Sequence, residues 1–281
     1  MSEKTNEIIK MRRDGVEELF TSDKFAAYLE FLASFRQYSF GNTLLIMLQT
    51  DGNASYVASY TDWRTKHHRQ VKRGSKAIKI IAPHTYTEKV GDEDVVRTGY
   101  HVCSVFDYEQ TEACPNRVDS AEDIPVLCRN LDDALCDRDN NLFDVLVESI
   151  APVPVSFEKI KEKANGYYDS ANLKIVLNDK IKGTVQSIST LIHECGHAWT
   201  CCNDGTEKEM DQATKEVVAQ SISYVVATYF GIDNSSYTFD YVCSWSKDRS
   251  HKELTASLDV IRKTSNDMID RIEERLMKDV A

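Results

Sequence analysis

The feature that most constrains this chain of 281 residues is a pair of histidines, His193 and His197, inside an apolar segment with helical spacing at about 185–202. Side chains four positions apart project from the same face of an α-helix, so both imidazoles can reach one cation. Glu194 lies directly beside them and can act as a base toward water at such a centre. The segment therefore predicts a metal site on a helix, with Glu194 as its catalytic residue.

A catalytic zinc ion usually has three protein ligands, so a third is expected from a neighbouring helix. The segment at about 208–230 is apolar around most of its circumference and carries a strip of small residues at spacings of four: Ala219, Ser223 and Ala227. Glu216 lies on the same strip, and a carboxylate that faces the interior is costly unless a cation meets it. We predict Glu216 as the third ligand of one Zn²⁺ ion per chain, with Mn²⁺ or another divalent ion as the alternative.

Three details of this site stay open from the sequence. Glu207 and Glu209 are competing acids near the start of the same helix, where a loop position would leave them solvated. The side chain that would stabilise an oxyanion is one of four tyrosines: Tyr167, Tyr168, Tyr237 or Tyr241. Residues 173–178, in a predicted hairpin at 166–179, are a candidate edge strand for an extended substrate, and a plain core strand explains them equally well.

Charge is distributed unevenly along the chain, which carries a net charge of −11. Residues 1–118 hold 16 basic and 16 acidic side chains, whereas residues 119–281 hold 18 and 29. Within 61–83, seven bases stand against one acid, Asp62. The net charge argues against nucleic-acid binding by the whole surface, but the basic segment permits it locally.

Aromatic residues accompany the basic segment, a combination that suits single-stranded nucleic acid because rings stack on bases and cations follow phosphates. The predicted DNA-binding residues are Tyr38, Asn42, Tyr60, Trp63, Arg64, Arg69, Lys72, Arg73 and Lys76. The competing interpretation is a solvated basic face with its aromatic residues in the core.

The chain is predicted to be an α+β protein of two domains. The first domain spans 1–118, a linker spans 119–140, and a mostly helical second domain spans 141–281. Strands are expected at 76–82 and 99–106, joined by a hairpin that contains Gly91 and Asp92, and the last helix at about 251–278.

Composition sets the expected compartment. The eight cysteines include no Cys-x-x-Cys pair and are expected to be reduced thiols. The amino terminus has no apolar signal segment, and no run approaches the length of a membrane helix. A cytoplasmic protein without a membrane partner is therefore expected.

Four pieces of the first half resemble the N-terminal, single-stranded-DNA-binding domain of the ArdC-type antirestriction proteins. They occur in the expected order over about 75 residues and are 38–42 (followed by Leu-Leu-Ile-Met-Leu), 60–63, 71–76 and 105–111. Each piece is weak alone, and the four together are specific. The resemblance implies that the basic segment binds single-stranded DNA.

The second half is similar to the zincin-like domain of ArdC and LtrC-like proteins of mobile elements, and more distantly to the ImmA/IrrE metallopeptidases. The matching pieces are 166–169, 193–197 and 216–219, and 237–245 with the last helix also resemble LtrC-like tails. The family's Glu-x-x-Ala piece supplies the third ligand, in agreement with Glu216. Many relatives have an acid where this chain has Gln220.

The resulting hypothesis is a mobile-element or phage anti-defence protein, which joins single-stranded DNA binding to a gluzincin-like zinc peptidase site acting on an unidentified protein substrate. Zinc would be held by His193, His197 and Glu216, with water in the fourth position. The alternative is a non-catalytic protein that protects single-stranded DNA and whose metal domain is structural or vestigial. A nuclease is less favoured, since nucleases prefer carboxylate-rich magnesium sites.

Overall fold

The computed structural model describes residues 3–90, 93–114, 142–161, 163–202, 210–235 and 237–278. The predicted linker at 119–140, the turn residues Gly91 and Asp92, and the competing acids Glu207 and Glu209 lie outside these residues. The described part of the chain mixes helices with antiparallel and parallel strands, so the predicted α+β class is confirmed.

Helices dominate the carboxyl-terminal half, as expected. In chain order the described helices are α1 (Glu3–Leu19), α2 (Ser22–Ser34), α3 (Phe40–Thr50), α4 (Tyr60–Thr65), α5 (Leu142–Ile150), α6 (Val185–Cys202), α7 (Gln212–Tyr229), α8 (Val242–Ser246) and α9 (His251–Lys278). Across the described residues, no helix combines the length and apolar character needed to span a membrane.

The described strands form three small sheets. They are β1 (Val57–Ser59), β2 (Arg69–Val71), β3 (Ile78–Val90), β4 (Glu93–Asp107), β5 (Thr111–Ala113), β6 (Val155–Glu158), β7 (Gly166–Asp169) and β8 (Lys174–Asn178). The strand orders are β1-β4-β3, β2-β5 and β6-β8-β7. The predicted hairpin of β3 and β4 is confirmed, but its strands run much longer than 76–82 and 99–106.

The chain folds into two compact units, and each unit is built from two separate segments of the sequence. The first unit holds residues 1–19 and 37–126, and the second holds 20–36 and 127–281. Helix α2 therefore belongs to the second unit, although the sequence assigned it to a first domain at 1–118. The reason is packing, because α2 lies along α7 and the Tyr224 hydroxyl donates to Glu30 at 2.7 Å.

In the first unit, α3 packs against β3 and closes its outer edge. Ser39 caps α3 by accepting from the Asn42 backbone N–H at 3.3 Å. The Asn42 side chain donates to the Ile81 carbonyl and accepts from the Ile81 N–H, both at 2.9 Å. Gln49 makes the same pair of bonds with Lys79, at 2.8 and 2.9 Å. Two amides seven residues apart thus satisfy a strand edge that has no partner strand on that side among the described residues.

The second unit holds the sheet beside the predicted metal helix. Strand β8 is central, since it pairs in parallel with β6 and antiparallel with β7. The structure favours the plain core strand over the edge strand for 173–178, because 175–177 are paired on both sides. Both β7 and β8 contact α6, and the contact of β7 is close: a Cβ on Gly166 would stand 2.8 Å from Thr190 of α6.

Candidate functional site

The two helices that carry the predicted ligands approach each other unusually closely. A Cβ built on Gly196 of α6 would lie 3.2 Å from the Cα of Ala219 and 3.4 Å from its Cβ and carbonyl oxygen. Further along the same seam, the Ser223 hydroxyl donates to the Ser189 carbonyl at 3.3 Å. The strip of small residues therefore lets α7 lie against α6, as the sequence predicted.

This close packing brings the three predicted ligands together. Ligand atoms of His193, His197 and Glu216 all lie within 4.8 Å of one another. Each Nε2 is 3.6 Å from one carboxylate oxygen of Glu216, and the two imidazole rings are 4.9 Å apart at 83°.

The donor set fits a small divalent cation. Tetrahedral zinc with ligand distances of about 2.0–2.2 Å separates its nitrogen and oxygen ligands by about 3.3–3.5 Å, close to the observed 3.6 Å. Two neutral imidazoles and one carboxylate are also a ligand combination used by catalytic zinc sites. The ligand roles stay a prediction, and the geometry supports them.

Electrostatics agrees with a cation at this place. Polar contacts with His193 and then His197 hold the pKa of Glu216 well below its usual range. The carboxylate is therefore ionised at neutral pH although half of its side chain is covered. It remains available as a ligand without losing a proton first.

Glu194 occupies a different environment from Glu216. It is 6% exposed, and the backbone of Tyr168 in β7 donates a hydrogen bond to its carboxylate. Burial raises the pKa of Glu194, and the neighbouring histidines oppose that rise. The predicted catalytic residue is thus fixed between α6 and β7, with its carboxylate beside the metal-binding group.

These residues line a cleft of about 920 Å³. Its walls come from β7, α6, α7 and the segment that follows α7, and they are largely polar; they include Tyr167, Tyr168, Ser189, Thr190, Gln212, Lys215, Gln220, Tyr237 and Thr238. Three of the four candidate tyrosines, Tyr167, Tyr168 and Tyr237, therefore line the cleft. The hydroxyl of Tyr237 is 2.5 Å from Ser223 Oγ, and burial raises the pKa of Tyr237, so it keeps its proton at neutral pH.

Gln220 has a structural role that the sequence did not reveal. Its side chain donates to the Thr238 carbonyl at 2.6 Å and accepts from the Tyr241 hydroxyl at 2.8 Å. An ionised acid at this position could accept but could not donate to Thr238. The sequence signal for this position was that many relatives have an acid where this chain has Gln220. Through its two hydrogen bonds, Gln220 attaches the segment after α7 to the rim of the cleft.

The basic segment lies in the first unit on α4, on β2 and in the turn that follows β2. Arg64, Lys72, Arg73 and Lys76 are exposed, and α4 packs against β2. Tyr60, at the start of α4, is 53% exposed and can offer a ring to a base. These five of the nine predicted DNA-binding residues are exposed, although Lys72 Nζ also donates to the Glu109 carbonyl at 2.8 Å.

Two of the predicted DNA-binding residues are corrected by the structure. Trp63 is fully buried, and its Nε1 donates to the Phe106 carbonyl at 2.8 Å, so it cannot stack on a base. Asn42 has both ends of its amide bonded to Ile81 and supports the fold.

The side chains of two further predicted DNA-binding residues already make interactions within the first unit. Tyr38 is mostly covered and its hydroxyl donates to the Val57 carbonyl at 2.8 Å. Arg69 donates to Thr111 at 2.7 Å and lies 4.1 Å from the centre of the Tyr108 ring. Their interactions tie the basic surface to the strands beneath it, which leaves less of each side chain for a ligand.

Comparison with known proteins links this architecture to a family. Residues 1–128 match the family model of the N-terminal domain of the anti-restriction factor ArdC. The first 128 residues therefore form an ArdC-type N-terminal domain. Most of the four pieces that carry the resemblance hold this ArdC-type domain together, because Asp107 accepts from the backbone of Ser55 and Tyr56 and the Lys72 N–H donates to Gln110.

Relatives extend the similarity beyond the ArdC-type domain. The metal-free crystal structure of the antirestriction protein ArdC from plasmid R388 shares the fold, with a TM-score of 0.57 at 14% identity over 83% of this chain and 85% of that chain. The Mn(II)-bound crystal structure of that protein gives 0.48 at 16% identity, over 86% and 84%, a score too low to establish a common fold by itself.

A longer relative is also known. An uncharacterized protein of Bacillus anthracis, pXO2-81, is 24% identical over an alignment of 326 positions. The alignment covers 98% of this chain and 52% of the relative. This chain thus spans about half the length of that protein.

Proposed function

We propose that this ArdC-type chain is an anti-defence protein that joins a metal-dependent peptidase site to a surface for single-stranded DNA. The observation that carries the peptidase half is the convergence of His193, His197 and Glu216 beside the buried carboxylate of Glu194. A structural metal site needs only ligands, whereas a general base held next to the ligands serves hydrolysis.

His193, His197 and Glu216 would hold the ion. Once bound, a divalent ion such as Zn²⁺ supplies Lewis acidity toward a carbonyl oxygen and a water molecule. Glu194 takes a proton from the attacking water as the new C–O bond forms. It then delivers that proton to the amide nitrogen when the C–N bond breaks, so it returns to its ionised state.

The substrate is proposed to lie in extended form along β7. This strand forms an edge of its sheet and lines the cleft, while β8 is paired on both sides. Strand addition places a peptide by main-chain hydrogen bonds and leaves its side chains to the cleft walls. Of the candidate tyrosines, Tyr237 lines the cleft and its hydroxyl is held by Ser223, whereas the Tyr241 hydroxyl donates a hydrogen bond to Gln220.

The DNA half of the proposal rests on the exposed cations Arg64, Lys72, Arg73 and Lys76 and on the exposed ring of Tyr60. A small cationic surface with a stacking ring binds single strands with little sequence preference. The acidic residues elsewhere repel DNA only over short distances at physiological salt, where screening reduces charge effects beyond about 8 Å.

Hydrolysis is tested by comparing the wild-type chain with Glu194→Gln in host cells. New protein amino termini, mapped by mass spectrometry, should appear with the wild type and be absent with Glu194→Gln. Both proteins must carry equal metal, which shows that the site is intact. If Glu194→Gln protects incoming DNA as fully as the wild type, the non-catalytic DNA-protecting function replaces the peptidase.

A further inference from the structure

The hairpin of β3 and β4 carries a second group of metal-ligating side chains, in the first unit and apart from the cleft. His84, His101 and Cys103 lie on one face of this two-stranded ribbon. The register pairs Ala82 with His101 and His84 with Gly99, so the two histidines are diagonal neighbours on adjacent strands. Both histidines are exposed, and Cys103 is half-buried.

The three side chains are in direct contact. Nδ1 of His84 is 3.4 Å from Nδ1 of His101, and the rings are 5.2 Å apart at 70°. On its other side His101 presents Nε2 at 3.2 Å from Cys103 Sγ. Zinc with bonds of about 2.0–2.1 Å to two imidazoles in tetrahedral geometry separates their nitrogens by about 3.3–3.4 Å. The Nδ1 atoms therefore already have the spacing of a shared ion.

Gly99 accounts for the position of the His84 ring. A Cβ built on Gly99 would stand 2.7 Å from Cε1 and 2.9 Å from Nε2 of His84. Glycine weakens the interior of a strand and often marks a close approach by another group. Here it leaves the space across which His84 reaches toward His101.

We infer that His84, His101 and Cys103 form a second transition-metal site, which takes Zn²⁺. The two imidazoles bind through Nδ1. The Cys103 sulfur now faces Nε2, on the other edge of the His101 ring; it joins by rotation about its own χ1 and releases its thiol proton as the sulfur–metal bond forms. Imidazole and thiolate ligands select zinc over the harder ions Mg²⁺, Ca²⁺ and Mn²⁺. Hence this site discriminates against Mn²⁺, which oxygen ligands accept more readily.

The test counts ions in the 281-residue chain without an affinity tag. After equilibration with Zn²⁺ and removal of the excess, elemental analysis should find two ions in the wild type and one in the double variant His84→Gln/His101→Gln. His251→Gln, which removes an exposed histidine on α9, is the matched control and should keep two. Equal ion counts in the wild type and the double variant overturn the proposal, whatever the occupancy of the cleft.

Two further variants separate ligation from general damage. Gly99→Val retains all three ligands but displaces the His84 ring, so it should also lose one ion. With Co²⁺ as the probe, the wild type should show thiolate-to-cobalt absorption that Cys103→Ser lacks, and an unchanged spectrum in Cys103→Ser excludes the sulfur. His193→Ala should leave this absorption in place, which keeps the outcome independent of the site in the cleft.

Discussion

Gly196 of α6 faces Ala219 of α7 with no room for a side chain between them, since a Cβ on Gly196 would stand 3.2 Å from the Ala219 Cα. Both residues lie within one turn of a predicted metal ligand, His197 on α6 and Glu216 on α7. The separation of the two helices at this point therefore sets the distance between the imidazoles and the carboxylate.

Gly196→Ala is expected to weaken both the fold and the metal site. The atoms it would strike belong to the backbone and Cβ of Ala219, which cannot rotate away. Overpacking of this kind costs about 1–3 kcal/mol, and the forced separation of α6 from α7 should lower metal affinity. Urea unfolding and a metal titration measure the two effects.

Gly15→Ala in α1 is the matched control for that substitution. Its Cβ would stand 2.6 Å from Leu48 Cδ1, the end of a flexible side chain that can turn aside. Alanine also favours a helix over glycine by about 1 kcal/mol, so stability should change little. Equal losses from both substitutions would show that the seam between α6 and α7 is not specially tight.

The metal ligands are tested by removing them one at a time in protein equilibrated with Mn²⁺, which the hairpin site should exclude. His193→Ala should abolish the bound ion, and Glu216→Ala should weaken it markedly, because a three-ligand site loses one donor in each case. Elemental analysis after dialysis gives the occupancy, and Glu274→Ala, an exposed acid on α9, should be neutral. Full occupancy in both ligand variants would disprove the proposed centre.

Single-stranded DNA binding should depend on the four exposed cations of the basic segment. Replacing Arg64, Lys72, Arg73 and Lys76 by Gln should weaken binding and flatten its salt dependence, by about 0.7 in slope for each phosphate that is no longer neutralised. Tyr60→Ala should remove about 1–3 kcal/mol of stacking. Fluorescence anisotropy with labelled oligonucleotides across a salt series measures both quantities.

A control quartet of exposed lysines in the second unit, Lys159, Lys161, Lys247 and Lys252, changes net charge by the same amount. Its replacement by Gln should leave the slope nearly unchanged, since those side chains lie outside the proposed surface. Equal effects of the two quartets, or equal affinity for single strand and duplex, would reduce the basic segment to a solvated face.

Asn42→Ala is expected to destabilise the first unit without a specific effect on DNA. It leaves the N–H and carbonyl of buried Ile81 without their partners, at a cost of about 1–3 kcal/mol. Asn53→Ala, which loses one exposed bond to Asp51, serves as the comparison. A DNA affinity that falls while urea stability holds would instead restore Asn42 as a contact residue.

The candidate metal site could be predicted from the sequence because its information is local. The spacing of His193 and His197 fixes one helix face, and the small strip around Ala219 fixes the face of the next helix. The helices predicted at 185–202 and 251–278 have these same bounds in the structure, and the one predicted at 208–230 is described from 212 to 229. Periodicity carries such information within a single element.

Contacts between elements that are distant in the sequence could not be predicted in the same way. Trp63 follows Tyr60 and precedes the basic run, yet its burial is decided by β4, some forty residues away. The segment 173–178 is a core strand and not an edge strand because β6, beyond Pro154, pairs with it. Likewise, the sequence of α2 contains no pattern that predicts its packing against α7. Each outcome depends on a partner that local patterns do not specify.

The side chains along the outer edge of β3 also bear on aggregation. Alternate residues of a strand point their hydrogen-bonding groups the same way, and at Lys79 and Ile81 these groups are taken by Gln49 and Asn42. The next residue of the same parity is Pro83, which has no N–H to offer. If several copies bind along one DNA strand, their β3 edges come together at high local concentration, and unpaired strand edges promote aggregation. At the base of this hairpin, Lys79, Ile81 and Pro83 leave no free N–H with which another chain could pair.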